Sequence, residues 1–203
     1  SAAGVTLNGV PAFDWCYGCS ATSAAMLFGY YDRHGFPEMY DGPANDGVCP
    51  LTNSTWGYGE SPLSATHQGF DGLAARGHVD DYFSAENSTV DPYYGNWPEH
   101  GYADCTADFM GTSQHWNWDN VDGGTTFFYY TNNSPLHDYS GSESSGLRDG
   151  MHGMRLFAES RGYTVVANYN QYIYGYGGAS AGFTWTQYKT EIDAGRPVLI
   201  QIA

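Results

Sequence analysis

The residue with the clearest chemical potential in this sequence is Cys19, within the segment WCYGCSATSAAM at residues 15–26. Gly18 precedes it and small residues follow it, so the thiol is predicted to stand at the N-terminus of a helix. Exposed N–H groups and the helix dipole at that end stabilise a thiolate over a thiol. Because the thiolate is the attacking form, the pattern predicts that Cys19 is a nucleophile. The alternative interpretation is a buried or disulfide-bonded cysteine.

The four cysteines of the chain leave the pairing of the remaining sulfurs open. They are Cys16, Cys19, Cys49 and Cys105. If Cys19 is a free nucleophile, at most one bridge can form among the other three. A bridge from Cys49 to Cys105 is the simplest, and a bridge from Cys16 to either of them is the alternative. A zinc site is a weaker interpretation, because one Cys-x-x-Cys step lacks a second close pair.

The same cysteines also fit a redox function. Residues 15–19 match the Trp-Cys-x-x-Cys pattern of thioredoxin-like oxidoreductases, in which Cys16 would attack and Cys19 would resolve. The sequence context argues against this function. Residues 10–14 do not form a long apolar strand, and a loop-rich segment follows the helix where a compact βαβ unit would be needed.

The elements that must position Cys19 are predicted to belong to one α+β domain over residues 1–203. Helices are predicted over residues 19–32, 64–76, 106–114, 146–162 and 184–194. Strands are predicted over residues 125–130, 164–169 and 197–202. The last strand is apolar on both faces, which predicts a central position with a neighbour on each side.

The composition restricts the partners and the location. The chain of 203 residues carries a formal net charge of −15, and Lys189 is its one lysine. Such a charge repels nucleic acid and anionic lipid, and no run of about 18 apolar residues predicts a membrane span. A sequence poor in lysine and rich in Tyr and Gly favours a secreted or extracellular protein. The start at Ser1 fits removal of a signal peptide.

Residues 18–26 resemble the nucleophile helix of papain-like cysteine peptidases of the bacteriocin-processing type, which usually begins Cys-Gly-Pro-Thr. Residues 185–198 resemble a later segment of that family, in which a helix ends in a Gly-x-Pro-Val step before a core strand. The resemblance implies a papain-like cysteine peptidase fold, with residues 35–145 as a long loop-rich insertion. It implies a secreted peptidase without a cofactor, in which Cys19 attacks a peptide carbonyl and forms a thioester. A histidine base and an orienting Asp or Asn complete such a site.

Two positions depart from the family pattern. The family's histidine follows the strand that corresponds to residues 197–202, so we expect the base beyond residue 203. A continuation of the chain or a second polypeptide would then carry it. Phe13 occupies the place of the glutamine that usually supplies an oxyanion donor, and the neighbouring Asp14 cannot donate when ionised. The Cys19 backbone N–H is therefore the one oxyanion donor that we assign.

The histidines and two aspartates are further functional candidates. The histidines of the chain are His34, His67, His78, His100, His115, His137 and His152. His78 has carboxylates nearby that could orient an imidazole, although an ordinary loop histidine is the simpler interpretation, and His152 is interpreted as a packed or capping residue. Asp119 and Asp122 could offer oxygen ligands to calcium, but the segment lacks the final acidic residue of a full loop. The aromatic-rich middle of the chain keeps a non-catalytic extracellular binding or assembly protein as an alternative.

Overall fold

The computed structural model describes residues 4–16, 18–40, 44–54, 61, 63–65, 105–112, 123–141 and 147–202. This part of the chain contains four α-helices and one small antiparallel sheet. In chain order the elements are α1 (Cys19–Asp32), α2 (Thr106–Met110), β1 (Leu136–His137), α3 (Gly150–Ser160), β2 (Tyr169–Asn170) and α4 (Trp185–Asp193). Within these described residues, no helix has the length and apolar character needed to cross a membrane.

Helix α1 confirms the helix predicted over residues 19–32. Alanine has the highest helix propensity, and Ala21, Ala24 and Ala25 recur on the buried side of α1 together with Phe28. Their small side chains let neighbouring segments approach the helix axis closely. The helix that carries Cys19 is therefore held by its inner face, while its first residue reaches solvent.

The core lies between α1, α2 and α3, and Phe157 of α3 is at its centre. Its ring is fully buried, 4.6 Å from the centroid of Phe28 and 5.7 Å from that of Phe109. Gly153 allows α3 to approach α2, because a Cβ on this residue would lie 2.2 Å from the Phe109 carbonyl oxygen. The Thr106 hydroxyl donates to the carbonyl oxygen of Ala21 over 2.8 Å, which joins α2 to α1.

The helix boundaries follow from local capping. The predicted helix over residues 146–162 begins later, at Gly150, because the Asp149 carboxylate caps it by accepting from the N–H of Met151 and of His152. The helix predicted over residues 184–194 begins at Trp185, because Thr184 and Gln187 form a capping box in which each side chain accepts from the backbone N–H of the other. The short helix predicted from Thr106 ends at Met110.

The predicted strands are largely absent from the described residues. Of the segment 164–169 only the last residue belongs to a strand, β2, which pairs antiparallel with β1 through Leu136↔Asn170 and His137↔Tyr169. The strand predicted over residues 125–130 is reduced to a single parallel bridge between Thr126 and Asp149. β-branched and aromatic residues favour extended backbone, but a strand also needs a neighbour with matching register.

The prediction of a central buried strand over residues 197–202 is wrong for this structure. Leu199 packs partly against the core, but Ile200 is 47% exposed and Ile202 is 89% exposed. Among the described residues this segment pairs with no strand. Its apolar composition therefore reflects one packed side chain and not burial on two faces.

Several sequence predictions lie outside the described residues. They include the predicted helix over residues 64–76 beyond Ala65, the possible calcium ligands Asp119 and Asp122, and four of the histidines, His67, His78, His100 and His115.

Candidate nucleophile site at the start of helix α1

Cys19 is the first residue of α1 and its side chain is exposed. The other three cysteines, Cys16, Cys49 and Cys105, are buried, and all four are free thiols, so neither of the bridges considered from the sequence is formed in this structure. Burial raises the pKa of the Cys49 thiol, and the nearby Asp32 carboxylate raises it further. Cys19 is thus the thiol that an electrophile can reach.

Gly18 gives the chain the turn that places Cys19 at the helix start. Its φ of 115° lies in the region that favours glycine. A Cβ on Gly18 would also lie 2.5 Å from the carbonyl oxygen of Gly123, and a Cβ on Gly123 would lie 2.8 Å from the Gly18 nitrogen. The two backbones therefore touch, and neither glycine can carry a side chain without displacement.

Thr22 fixes the segment before the helix through its hydroxyl group. The Thr22 Oγ1 accepts from the N–H of Cys16 over 3.0 Å and lies 2.8 Å from the Cys16 carbonyl oxygen and 2.9 Å from that of Gly18. These contacts tie the first turn of α1 back onto the segment that leads into it. The position of Cys19 is set by this closed group of hydrogen bonds.

A second group of contacts holds Cys16 from the other side. The Ser64 hydroxyl donates to the Cys16 carbonyl oxygen over 2.8 Å, and the Cys16 thiol donates to the Ala65 carbonyl oxygen over 3.2 Å. Cys16 is fully buried. In an oxidoreductase this sulfur would have to attack a substrate disulfide, so its burial does not favour the redox alternative.

The sequence predicts the Cys19 backbone N–H as an oxyanion donor and leaves the second donor unassigned. Cys19 opens the helix, so its N–H points out of the first turn, and no acceptor for it is found in the described part of the chain. Phe13 is buried and has no donor group. The backbone N–H of the exposed Asp14 donates to the buried Asn53 Oδ1 over 3.1 Å, which anchors the approach to the site.

The histidines that the structure describes have partners away from Cys19. The Nδ1 of His34 lies 2.6 Å from the Tyr30 carbonyl oxygen, and the ring stacks on Tyr30. The ring of His137 tilts against Tyr169. His152 lies 2.9 Å from a carboxylate oxygen of Asp138. No described histidine hydrogen-bonds to Cys19.

A buried carboxylate that the sequence interpretation missed, Asp149, organises the neighbouring half of the molecule. Besides capping α3, its Oδ2 accepts from the N–H of Phe128 and from the Asn170 side-chain amide, both over 2.8 Å. Burial raises the pKa of Asp149, although the four donated hydrogen bonds work in the opposite direction. In the sequence, Asp149 stands directly before the residues of α3, and an Asp in that position is a common N-cap pattern.

His152 lies on α3 and takes part in a cluster of charged side chains around Asp138. The sequence predicts a packed or capping residue at this position, without this ion pair. Asp138 accepts from His152, from Arg155 and, over 3.4 Å, from Asn168. Partial burial acts to raise the pKa of Asp138, but these donors outweigh it and hold the pKa below its ordinary value. The cluster ties the 138 loop to α3. Within the described residues, no group of three or more His, Cys, Asp or Glu could hold a metal ion.

A stack of tyrosines forms a partly exposed aromatic surface. Tyr172 stacks on Tyr129 with ring centroids 4.4 Å apart, and on Tyr176 with centroids 4.3 Å apart. Tyr176 is 59% exposed. We refer to these three residues as the tyrosine stack. Tyr176 leaves one end of the stack exposed to solvent.

Comparison of the chain with protein-family models, with curated proteins and with solved structures finds no match. A functional assignment therefore depends on the geometry around Cys19 and on the sequence pattern that contains it.

Proposed function

We propose that this chain is a secreted cysteine peptidase that hydrolyses peptide bonds through a thioester on Cys19. The observation that carries the proposal is the position of Cys19: an exposed thiol on the first residue of a helix, behind a segment fixed by hydrogen bonds. An exposed thiol is accessible to a substrate, and a fixed approach limits the reorganisation that attack requires.

In the proposed reaction the Cys19 thiolate attacks the carbonyl carbon of a peptide bond. The oxygen becomes an oxyanion that the Cys19 N–H stabilises by hydrogen bonding. The C–N bond then breaks, the leaving amine takes a proton from the base, and an acyl thioester remains on the sulfur. Water, deprotonated by the same base, attacks the thioester, the C–S bond breaks and the thiolate is restored.

The base in this proposal is a histidine beyond residue 203, carried by a continuation of the chain or by a second polypeptide. Two observations support a source outside the described residues. His34 and His152 are engaged by Tyr30 and Asp138, and His137 packs against Tyr169. The resemblance places the base after the segment that follows α4. A papain-like α+β fold is part of the same proposal, supported by the nucleophile helix and the small antiparallel sheet.

Alkylation with iodoacetamide, followed by peptide mapping, tests the proposal on the natural full-length protein. We expect selective labelling of Cys19 without reductant, with Cys16, Cys49 and Cys105 labelled only after unfolding. Labelling should abolish peptide hydrolysis. A Cys16–Cys19 disulfide that opens under mild reduction would instead support the oxidoreductase. Full labelling of Cys19 without loss of any activity would contradict the peptidase.

The tyrosine stack favours a second candidate function, a non-catalytic extracellular binding or assembly protein. Three stacked rings with an exposed end offer an apolar surface with hydroxyl groups at its rim, a composition typical of binding sites. Replacing Tyr172 by alanine separates the two functions. If the chain is a binding or assembly protein, the substitution should abolish binding of its partner. The reactivity of Cys19 should stay unchanged whichever of the two functions is correct.

A further inference from the structure

The exposed end of the tyrosine stack is an aromatic face on a loop of glycines. Tyr172 covers one face of Tyr176, with the two ring planes 7° apart, and Tyr176 is still 59% exposed. Its other face and its edge therefore reach solvent. Glycines flank it, and the Cβ positions of Gly175, Gly177 and Gly178 have nothing from the described part of the chain within 4 Å. The loop thus leaves open the space around this ring.

The backbone that carries the Tyr176 ring is fixed by hydrogen bonds. The side-chain amide of Asn133, a buried residue, donates to the carbonyl oxygens of Tyr176 and Ala181 over 3.4 and 3.3 Å. The Tyr176 N–H donates to the Ile173 carbonyl oxygen over 3.0 Å. The ring is therefore held in place before a ligand arrives, which limits the entropy that binding costs.

The two segments that build the tyrosine stack carry no charge. Residues 123–136 and 162–188, which supply its three tyrosines, contain no Asp, Glu, Lys, Arg or His, although the whole chain has 22 acidic residues. Burial raises the pKa of Tyr129 and the Asp149 carboxylate raises it further, but Asp149 is fully buried and cannot contact a ligand at the surface. The Tyr129 hydroxyl donates to a neutral group, the Gln201 Oε1, over 3.2 Å. A charged ligand would find no opposite charge on these segments, so the stack suits a neutral ligand.

We infer that the tyrosine stack is a binding site for a neutral polysaccharide, in which the outer face of Tyr176 packs against the flat face of a sugar ring. A pyranose with its hydroxyls along the ring edge presents C–H groups on that face, and the tyrosine hydroxyls and the Gln201 amide offer neutral hydrogen-bonding groups. One exposed ring matches the area of one sugar ring, whereas a protein partner would need about 800 Å² on each side. The inference rests on the second candidate function, whose ligand class it names, and it does not require Cys19 to be a nucleophile.

Affinity electrophoresis in native gels tests this site with three soluble polysaccharides. The probes are hydroxyethyl cellulose, glucomannan and arabinoxylan, which are neutral chains of β-linked pyranoses. We expect one or more of them to retard the wild-type protein. Tyr176→Ala should weaken this binding about tenfold, because it removes the face on which the sugar packs. Tyr176→Phe keeps the ring and should keep most of the binding.

Tyr130→Ala is the matched control. Tyr130 is 51% exposed and adjoins Tyr129 in the chain, but it stacks on no ring among the described residues. This variant should bind like wild type, and thermal melting confirms that each variant is folded. The sugar site is overturned if none of the three chains retards the wild type, if Tyr176→Ala binds as well as wild type, or if Tyr130→Ala loses as much binding.

This assay involves no peptide cleavage, so failure of the proposed peptidase leaves its result intact. The second candidate function can also stand without the sugar site. Binding of a protein that depends on Tyr172, without retardation by any of the polysaccharides, would overturn the sugar site and keep that function.

Discussion

The carbonyl oxygen of Gly123 packs directly against Gly18, the residue before the candidate nucleophile, and a Cβ on Gly18 would lie 2.5 Å from it. Gly18 also has a φ of 115°. We therefore expect Gly18→Ala to lower the free energy of unfolding by about 2–4 kcal/mol, since strain and steric overlap add. Urea unfolding measures the change.

Gly35→Ala is the control for this substitution. Gly35 has a similar φ of 104°, but nothing lies within 4 Å of its Cβ position. We expect a loss of about 1 kcal/mol, from backbone strain alone. Equal losses at the two positions would show that the contact between Gly18 and Gly123 does not constrain the helix start.

The Thr22 hydroxyl provides a second test of the anchored helix start. Thr22→Val keeps the shape of the side chain but removes the partner of the Cys16 N–H and two carbonyl contacts. We expect a loss of stability of about 1–3 kcal/mol, because these groups are buried, and a lower rate of Cys19 alkylation. Thr190→Val removes a comparable hydroxyl contact on the exposed face of α4 and should cost less than about 0.5 kcal/mol. Equal effects of the two variants would rule out a special role for Thr22.

Asp149→Asn separates the two functions of this carboxylate. The Asn Oδ1 can still cap α3, but its amide group would face the N–H of Phe128 and the amide of Asn170, which are both donors. We expect a loss of about 2–3 kcal/mol at neutral pH. The control Asp193→Asn, which removes an exposed carboxylate at the end of α4, should change the stability little. A cost below about 0.5 kcal/mol would mean that the Oδ2 contacts contribute nothing to stability.

The raised pKa of Asp149 gives the pH dependence a definite sign. The folded protein keeps this proton at a higher pH than the unfolded chain, whose pKa is near the ordinary value of 3.8. The part of the stability that comes from proton binding at Asp149 is fully present below pH 3.8 and is lost as the pH rises through the folded-state pKa. The stability of wild type relative to Asp149→Asn should therefore decrease as the pH rises through this window. Urea unfolding at a series of pH values measures it, and a constant or increasing difference would contradict the shift.

Local signals in the sequence located the helices well but the strands poorly. The helix predicted over residues 19–32 matches α1 to its last residue, and the helix predicted over residues 184–194 lies within one residue of α4 at each end, because capping and propensity act within a few residues. Strands need partners that are distant in sequence. Residues 197–202 look like a buried strand by composition alone, yet Ile202 is 89% exposed.

The same limit applies to the candidate site. Cys19 was visible from its neighbours, since a helix start is a local feature. The residues that hold the segment before it were not, because Ser64 contacts Cys16 and Gly123 contacts Gly18 from 45 or more positions away. Thr22 is close in sequence, but its hydroxyl is significant only because the chain before Gly18 folds back onto the first turn.

The central claim is that Cys19 forms an acyl thioester during peptide hydrolysis, and acid quenching followed by mass spectrometry of the natural full-length protein tests it most directly. Incubation with an excess of a peptide substrate should give an acyl adduct on the fragment that contains Cys19, and hydroxylamine should remove it. Cys19→Ala should lose both the adduct and the hydrolysis, whereas Asp193→Asn should keep both. Hydrolysis that persists in Cys19→Ala, or an adduct at another residue, would contradict the account.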